Sequence, residues 1–219
     1  SRVAGGAVAG AFLDTIGVAV RAAAVELGGV PAGATDLDGA QDRPFFAADP
    51  DAAVKWEQVV REAVSRGDTV GGIVEVRATG VPAGLGEPVF DKLDARLAAA
   101  VMSVGAVKGV EIGSGFAAAR ASGSENNDPM RAEGFLSNNA GGILAGISTG
   151  QDIVLRAAVK PIASIAREQL TVDRSGRETY VRGRHDVCAI PRIVPVLAAM
   201  VRLVLADAVL LQRRMKGGQ

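Results

Sequence analysis

The chain has few residues of the types that build disulfide frameworks, metal sites and nucleic-acid interfaces. Its single cysteine, Cys188, excludes an internal disulfide, and its single histidine comes without HxxxH or CxxC spacing, so no metal site is predicted. The 24 basic and 24 acidic residues balance without a block of like charge, which argues against a nucleic-acid or membrane-surface partner. No charged segment followed by an apolar one opens the chain, so cytoplasmic residence is the simplest interpretation.

Aromatic residues are also scarce, with six Phe, one Trp and one Tyr against 28 Gly. The core must therefore consist of Ala, Val, Leu and Ile, and this composition suits helices packed closely on sheets. The longest apolar stretch, residues 193–211, is interrupted by Arg202 and Asp207, which predicts a buried helix and not a membrane span. At 219 residues, a single domain over residues 1–219 is the default expectation.

The periodicity of apolar residues predicts both helices and strands. Helices are predicted at residues 2–14, 51–65, 88–103 and 191–214. Strands are predicted at residues 18–27, 70–78, 107–112 and 152–159, with a hairpin closed by residues 178–181. Residues 31–50 lack periodicity and predict a surface connection. The first helix has no N-cap residue before it, as expected for a helix that starts upstream of Ser1. Together the elements favour an α+β sandwich over a regular parallel sheet.

Apolar spacing also predicts which helix faces are buried. In helix 88–103 the expected buried residues are Phe90, Leu93, Leu97 and Val101. In helix 51–65, Val54, Val59 and Val60 can share one face.

Residues 134–151 form a glycine-rich segment with two adjacent amides, Asn138 and Asn139, and no basic residue. Glycines allow backbone N–H groups to approach a bound molecule, and amides offer both donors and acceptors. The segment, called here the glycine loop, is predicted to be a buried polar loop that presents these groups to a ligand. Taken alone, it is equally compatible with a tight turn.

Lys160 and Pro161 end an apolar strand, where the lysine ammonium can meet a phosphate or the carbonyl edge of a flavin. The alternative is a surface lysine that protects a strand end. Residues 183–186 combine an anion-binding arginine, Arg184, with a carboxylate, Asp186, that can accept a proton. The alternative is a charged turn before the last helix, with Asp186 favoured by the helix dipole. Residues 81–88 lack the Gly-Lys-Ser/Thr ending of a phosphate loop, which disfavours an NTPase.

Six separated blocks of the chain resemble chorismate synthases in their order and spacing. The blocks are residues 82–91, 106–113, 124–128, 134–151, 160–161 and 183–186. The resemblance covers the whole chain and implies a sandwich of helices between two antiparallel sheets, usually assembled as a homotetramer. It also implies the 1,4-anti elimination of phosphate from 5-enolpyruvylshikimate-3-phosphate to give chorismate, with reduced FMN required although there is no net redox change.

The resemblance also assigns roles to individual positions. Asp186 matches an aspartate near the flavin N5 and is the expected proton acceptor. The expected flavin contacts are Gly105, Ala106, Ala145, Lys160, Pro161, Ile162, Ala163, Ser164 and Arg184. Four of these positions depart from the family pattern: Gly105 replaces an asparagine, Ala145 replaces a glycine, and Ile162 and Ala163 replace small hydroxylated residues. Backbone contacts to a flavin remain available at all four.

The family pattern begins with roughly another third of the chain, ahead of residue 2, that this sequence does not contain. That part carries two active-site histidines, an arginine cluster and an Arg-Ser-Ser flavin segment. On this resemblance, the 219-residue chain is expected to hold part of the flavin site without turning over by itself. The alternative hypothesis is a non-catalytic module that binds a flavin or an anion.

Overall fold

The computed structural model describes residues 1–181, 185–215 and 217. The helices are α1 (Arg2–Asp14), α2 (Pro50–Ser65), α3 (Leu93–Met102), α4 (Gly123–Asn126) and α5 (Ile190–Met215). The longer strands are β1 (Ala19–Leu27), β3 (Gly72–Thr79), β4 (Val107–Ile112) and β9 (Ile153–Val159). The shorter ones are β2 (Val30–Pro31), β5 (Met130–Arg131), β6 (Gly134–Phe135), β7 (Ile143–Leu144), β8 (Ile147–Ser148), β10 (Gln169–Val172) and β11 (Glu178–Val181). Short 3₁₀ helices span Ala40–Asp42, Pro44–Phe46 and Gly115–Arg120.

Five strands form one antiparallel sheet in the order β2-β1-β3-β9-β4. Residues on one face are buried, as shown by Val76 of β3 and its cross-strand partner Leu155 of β9. On the opposite face, Arg156 of β9 lies between Glu75 and Glu111 and pairs with Glu111 at 2.9 Å. This apolar and charged alternation is the strand pattern expected for a sheet covered on one side. The predicted α+β class is confirmed.

The helices α1, α3 and α5 cover the apolar face of the sheet, and α5 contacts both of the other helices. Arg202 of α5 donates a hydrogen bond to the carbonyl of Val20 in β1 at 2.8 Å, which ties the helix layer to the outer part of the sheet. On α1 and α5, Val8 and Leu210 remain 74% and 52% exposed. The second large sheet implied by the resemblance is not formed by the residues that the structure describes.

By length and composition α5 is apolar enough to cross a membrane, with a mean hydropathy of 2.2 over its most apolar window. However, 61% of that window is buried inside the protein. Burial against a sheet and two helices is the behaviour of a core helix, which agrees with the prediction made from Arg202 and Asp207.

The valine face of α2 is only partly buried, because Val59 and Val60 pack against the core but Val54 does not. Val54 is 69% exposed, and the buried side chains are Ala52, Ala53, Trp56 and Ala63. Trp56 is fully buried and donates its indole N–H to the carbonyl of Val30 at 2.8 Å. The one tryptophan of the chain therefore anchors α2 to β2. The small alanine side chains beside it allow the helix to lie close to the strand.

Two other predictions are corrected at their boundaries. The helix predicted over residues 88–103 begins at Leu93, and Phe90 is 93% exposed. Glu87 and Asp91 exchange two backbone hydrogen bonds at 3.0 and 2.9 Å, and this closed turn is incompatible with a helix. Residues 31–50 are not only a surface connection, because Ala48 is fully buried and donates its N–H to the β1 residue Ala24 at 2.9 Å.

Close packing of α1 on α5 depends on Gly6. A Cβ at this position would lie 2.3 Å from the Cβ of Ala199, whereas a Cβ at Gly5 would lie an ordinary 3.7 Å from Leu203. Both glycines are in the same helix, so replacement by alanine gives a similar gain in helix propensity at either position.

We expect Gly6→Ala to lower the free energy of unfolding by about 1–3 kcal/mol through overpacking. The matched Gly5→Ala variant should instead raise it by about 0.5–1 kcal/mol, because alanine has the higher helix propensity. Urea unfolding followed by circular dichroism measures both changes. Equal effects of the two substitutions would contradict the packing described.

Candidate functional site

Two of the predicted flavin-contacting segments meet at the end of the sheet where β9 finishes. The N–H of Lys160 donates to the carbonyl of Ala106 at 2.9 Å, and the adjoining residues Val159 and Val107 are cross-strand partners. Ala106 has a φ of 74°, so the chain turns sharply here before it enters β4. No atom lies within 4 Å of the Cβ position of Gly105, which leaves open space beside the exposed Lys160.

Residues 160–164 continue from β9 as an irregular segment that rests on the chain entering β3. A Cβ at Gly71 would lie 2.4 Å from the carbonyl oxygen of Val159 and 3.0 Å from Pro161, so only glycine permits this approach. The hydroxyl of Thr69 donates to the carbonyl of Ile162 at 2.7 Å. An open groove of about 470 Å³ lies alongside, with Thr69, Gly71 and Pro161 among its lining residues.

Asp186 lies at the same end of the sheet. The N–H of Val70, two residues before β3, donates to the carbonyl of Val187 at 2.9 Å, and β3 begins there opposite the end of β9. The Asp186 carboxylate is exposed and is held by Arg192 through two contacts, at 2.8 and 3.3 Å. Arg192 lies in the first turn of α5 and was not predicted from the sequence. No spacing rule links residues across the irregular turn between them. Gly183 and Arg184 lie outside the described residues.

Cys188 is half-buried next to this site, where its backbone pairs with that of Val70 in an isolated parallel β-bridge. Burial raises the pKa of its thiol, against a smaller lowering effect of the hydrogen bond from the Ile190 N–H. Because the thiolate is the reactive form, the raised pKa favours the interpretation of Cys188 as a packing residue.

The glycine loop lies at the other end of β9. Asn138 donates its amide to the carbonyl of Asp152 at 2.8 Å, and Asp152 directly precedes β9. A strand of seven residues spans about 23 Å, so the loop and Lys160 are separated by roughly that distance within one chain. Within a single chain, the structure therefore does not bring the glycine loop and Lys160 together.

Several polar groups of the glycine loop are already hydrogen-bonded to Asp128 or to each other. The carboxylate of Asp128 accepts hydrogen bonds from the Ser137 hydroxyl at 2.6 Å, the Asn139 N–H at 2.7 Å and the Ala140 N–H at 2.8 Å. The carbonyl of the Asn138 side chain accepts the N–H of Gly142 at 2.6 Å. These contacts fix the loop, so its amide side chains stabilise the turn and the tight-turn alternative describes them better than ligand presentation does.

Ala145 is the predicted flavin contact that lies apart from the others. It occupies the turn between β7 and β8 with a φ of 53°, a conformation that glycine adopts more easily. The neighbouring Gly146 accepts the N–H of Leu93 at 2.8 Å, at the first residue of α3. Gly105 follows the other end of α3. Ten helical residues span about 15 Å, so the length of this helix separates Ala145 from Gly105.

Comparisons with known proteins identify the family of this chain. The chorismate synthase family model matches residues 1–210. The chain belongs to the chorismate synthase family. A chorismate synthase from Nitratidesulfovibrio vulgaris (strain Hildenborough) is 67% identical, and one from Oleidesulfovibrio alaskensis (strain G20) is 68% identical, each over 217 residues.

These two alignments cover 98% of this chain and 61% of each relative, so the chain spans about three fifths of their length. A solved structure described as "Crystal Structure of Chorismate Synthase" superposes with a TM-score of 0.81 at 33% identity. That superposition covers 96% of this chain and 62% of the solved one. Membership in this family of lyases confirms the resemblance drawn from the sequence blocks.

Asp128 provides a test of the glycine loop. Burial alone would raise the pKa of its carboxyl, but the hydrogen bonds from Ser137, Ala140 and Asn139 outweigh burial and the pKa is lowered. A carboxyl whose pKa is lowered by folding stabilises the fold at pH values above its unfolded-state pKa of about 3.9. That stabilisation is lost as the pH falls through the folded-state pKa.

We therefore expect Asp128→Asn to lower the free energy of unfolding by about 1–2 kcal/mol at pH 7, a value discounted for partial exposure. The difference from the unsubstituted chain should shrink below about pH 4. Unfolding in urea between pH 3 and 7 measures this difference, with Glu133→Gln, an exposed carboxylate just before the glycine loop, as control. A difference that does not change with pH would exclude this role of the carboxylate.

Proposed function

We propose that this chain forms the flavin-holding part of a chorismate synthase, which converts 5-enolpyruvylshikimate-3-phosphate to chorismate with reduced FMN. The observation that supports the proposal most directly is the 2.9 Å hydrogen bond between Lys160 and Ala106 at the end of β9. It joins two of the predicted flavin segments, and Asp186 lies at the same end of the sheet. A competing non-catalytic flavin-binding or anion-binding role predicts binding without a contribution to turnover.

The groups present fit a flavin in charge and shape. The exposed ammonium of Lys160 can donate a charge-assisted hydrogen bond to a ring carbonyl. The open space at Gly105 and the open groove beside Pro161 leave room for a flat ring. Reduced FMN, when bound, supplies an electron-rich ring to a reaction that has no net redox change.

Asp186 is proposed to accept the ring proton. The elimination breaks a ring C–H bond and the C–O bond to phosphate. The proton passes to a base, the C–H electron pair forms a new double bond, the existing ring double bond shifts by one position, and the C–O electron pair leaves with phosphate. Arg192 holds both carboxylate oxygens of Asp186 and fixes the direction in which the carboxylate faces. Orientation of a base toward the bond that it breaks is a main contribution of a protein to such a step.

The remaining site assignments belong to the same proposal. Pro161, Ile162, Ala163 and Ser164 contact the flavin together with Lys160, and Arg184 contributes from outside the described residues. Ala145 is not part of this cluster, since the length of α3 separates it from Gly105. A cytoplasmic homotetramer that acts on a small molecule, without a nucleic-acid or membrane partner, completes the proposal.

Binding of FMN to the purified chain tests the flavin site. We expect Lys160→Met to weaken FMN binding about tenfold, because a charge-assisted hydrogen bond is lost. Lys108→Met, at an exposed position in β4, is the matched control and should bind as the unsubstituted chain does. Titration of flavin fluorescence measures both dissociation constants. Equal binding by the two variants would place the flavin elsewhere.

Anaerobic turnover with excess reduced FMN, followed by chorismate absorbance, tests the catalytic proposal. We expect no turnover by the 219-residue chain and turnover by a longer chain that includes the histidines of the family. In the longer chain, Asp186→Asn should reduce kcat by at least about 100-fold, which is the usual contribution of a positioned base. FMN binding without turnover in the longer chain would favour the non-catalytic alternative.

A further inference from the structure

The chain entering β3 holds two separate segments of the proposed flavin site. The hydroxyl of Thr69 donates to the carbonyl of Ile162 at 2.7 Å. The next residue, Val70, donates its N–H to the carbonyl of Val187 at 2.9 Å, directly after Asp186. One pair of adjacent residues therefore sets the position of residues 160–164 relative to the proposed proton acceptor.

The contact made by Thr69 determines the direction of a second group. In a planar trans peptide the C=O of one residue and the N–H of the next point in opposite directions. The carbonyl of Ile162 faces Thr69, so the N–H of Ala163 faces away from the protein body. Ala163 is exposed, and its N–H makes no hydrogen bond to any residue that the structure describes.

We propose that Thr69 is a positioning residue of the flavin site, and that the group it positions is the backbone N–H of Ala163. This inference rests on the proposed function, and its ligand is an acceptor atom of the flavin ring. Pro161 has no N–H, and both Ile162 and Ala163 carry alkyl side chains. The Ala163 N–H is therefore the donor whose direction the Thr69 hydroxyl controls, three residues after Lys160.

The contacts around Thr69 show why its hydroxyl can be tested separately from the fold. The other bonds of this chain segment are made by its backbone or by Asp68: Gly67 accepts the N–H groups of Ala166 and Arg167 at 3.1 and 3.3 Å, and Asp68 pairs with Arg167. Removal of the hydroxyl leaves all of them in place. Thr69→Val removes it with little change in shape, and Thr69→Ser retains it.

FMN titration of the purified chain is the first experiment. We expect Thr69→Val to raise the dissociation constant about five- to tenfold, the effect of one hydrogen bond, and Thr69→Ser to stay within about twofold of the unsubstituted chain. The midpoint of thermal unfolding should be nearly the same for both variants. Unchanged FMN affinity in Thr69→Val, or an equal loss in Thr69→Ser, would overturn the proposal.

A double-mutant cycle identifies the positioned group. Ala163→Pro removes the N–H, and Ala163→Ser retains it. If Thr69 acts through this N–H, Thr69→Val should add little to the loss caused by Ala163→Pro, because the donor is already absent. Losses that simply add would show that Thr69 supports the fold without positioning this donor.

A measurement without FMN separates this inference from the proposed function. Backbone ¹⁵N relaxation reports the order of residues 162–164, which should decrease in Thr69→Val and be retained in Thr69→Ser. If the unsubstituted chain does not bind FMN, the proposed function and the flavin role of Ala163 both fail. Relaxation then still decides whether Thr69 orders the segment, and unchanged order in Thr69→Val would reject that as well.

Discussion

Hydrogen bonding along both edges of β9 is the interaction on which the rest of the structure depends. Val159 pairs with Gly72 of β3 on one side and with Val107 of β4 on the other. A shift of either register by one residue would turn Arg156 into the core and expose Leu155. The same register places Lys160 beside Ala106 at one end of the strand and fixes the glycine loop at the other end. The position of the candidate site follows from this register.

Glycine has a different function at each end of the sheet. At the candidate site, Gly71 allows one backbone segment to approach another, and the space around Gly105 is left open. In the glycine loop, a Cβ at Gly113 would lie 2.1 Å from the carbonyl oxygen of Asn139, so glycine there permits the loop to close on the end of β4. Glycine richness alone does not distinguish a ligand-binding loop from a closely packed one, because both require the absence of a Cβ.

The scarcity of aromatic residues explains how the helix layer packs. Small residues such as Gly6 and Ala199 bring α1 and α5 into direct backbone contact, and branched aliphatic side chains from the sheet fill the remaining space. Trp56 is a fully buried aromatic residue, which fills the space under α2 and satisfies the carbonyl of Val30. Interiors of this kind gain dispersion energy through close contact and tolerate little added volume.

Local patterns of residues were enough to establish the α+β class, the positions of most strands and helices, and the family. Alternation and helical spacing are local patterns, and the family blocks are contiguous, so neither depends on distant contacts. The tertiary structure decided that Val54 and Phe90 are exposed, that Asn138 stabilises a turn, that Arg192 holds Asp186, and that Ala145 lies away from Lys160. Each of these outcomes depends on contacts between distant segments or on the path of an irregular turn, which local periodicity does not encode.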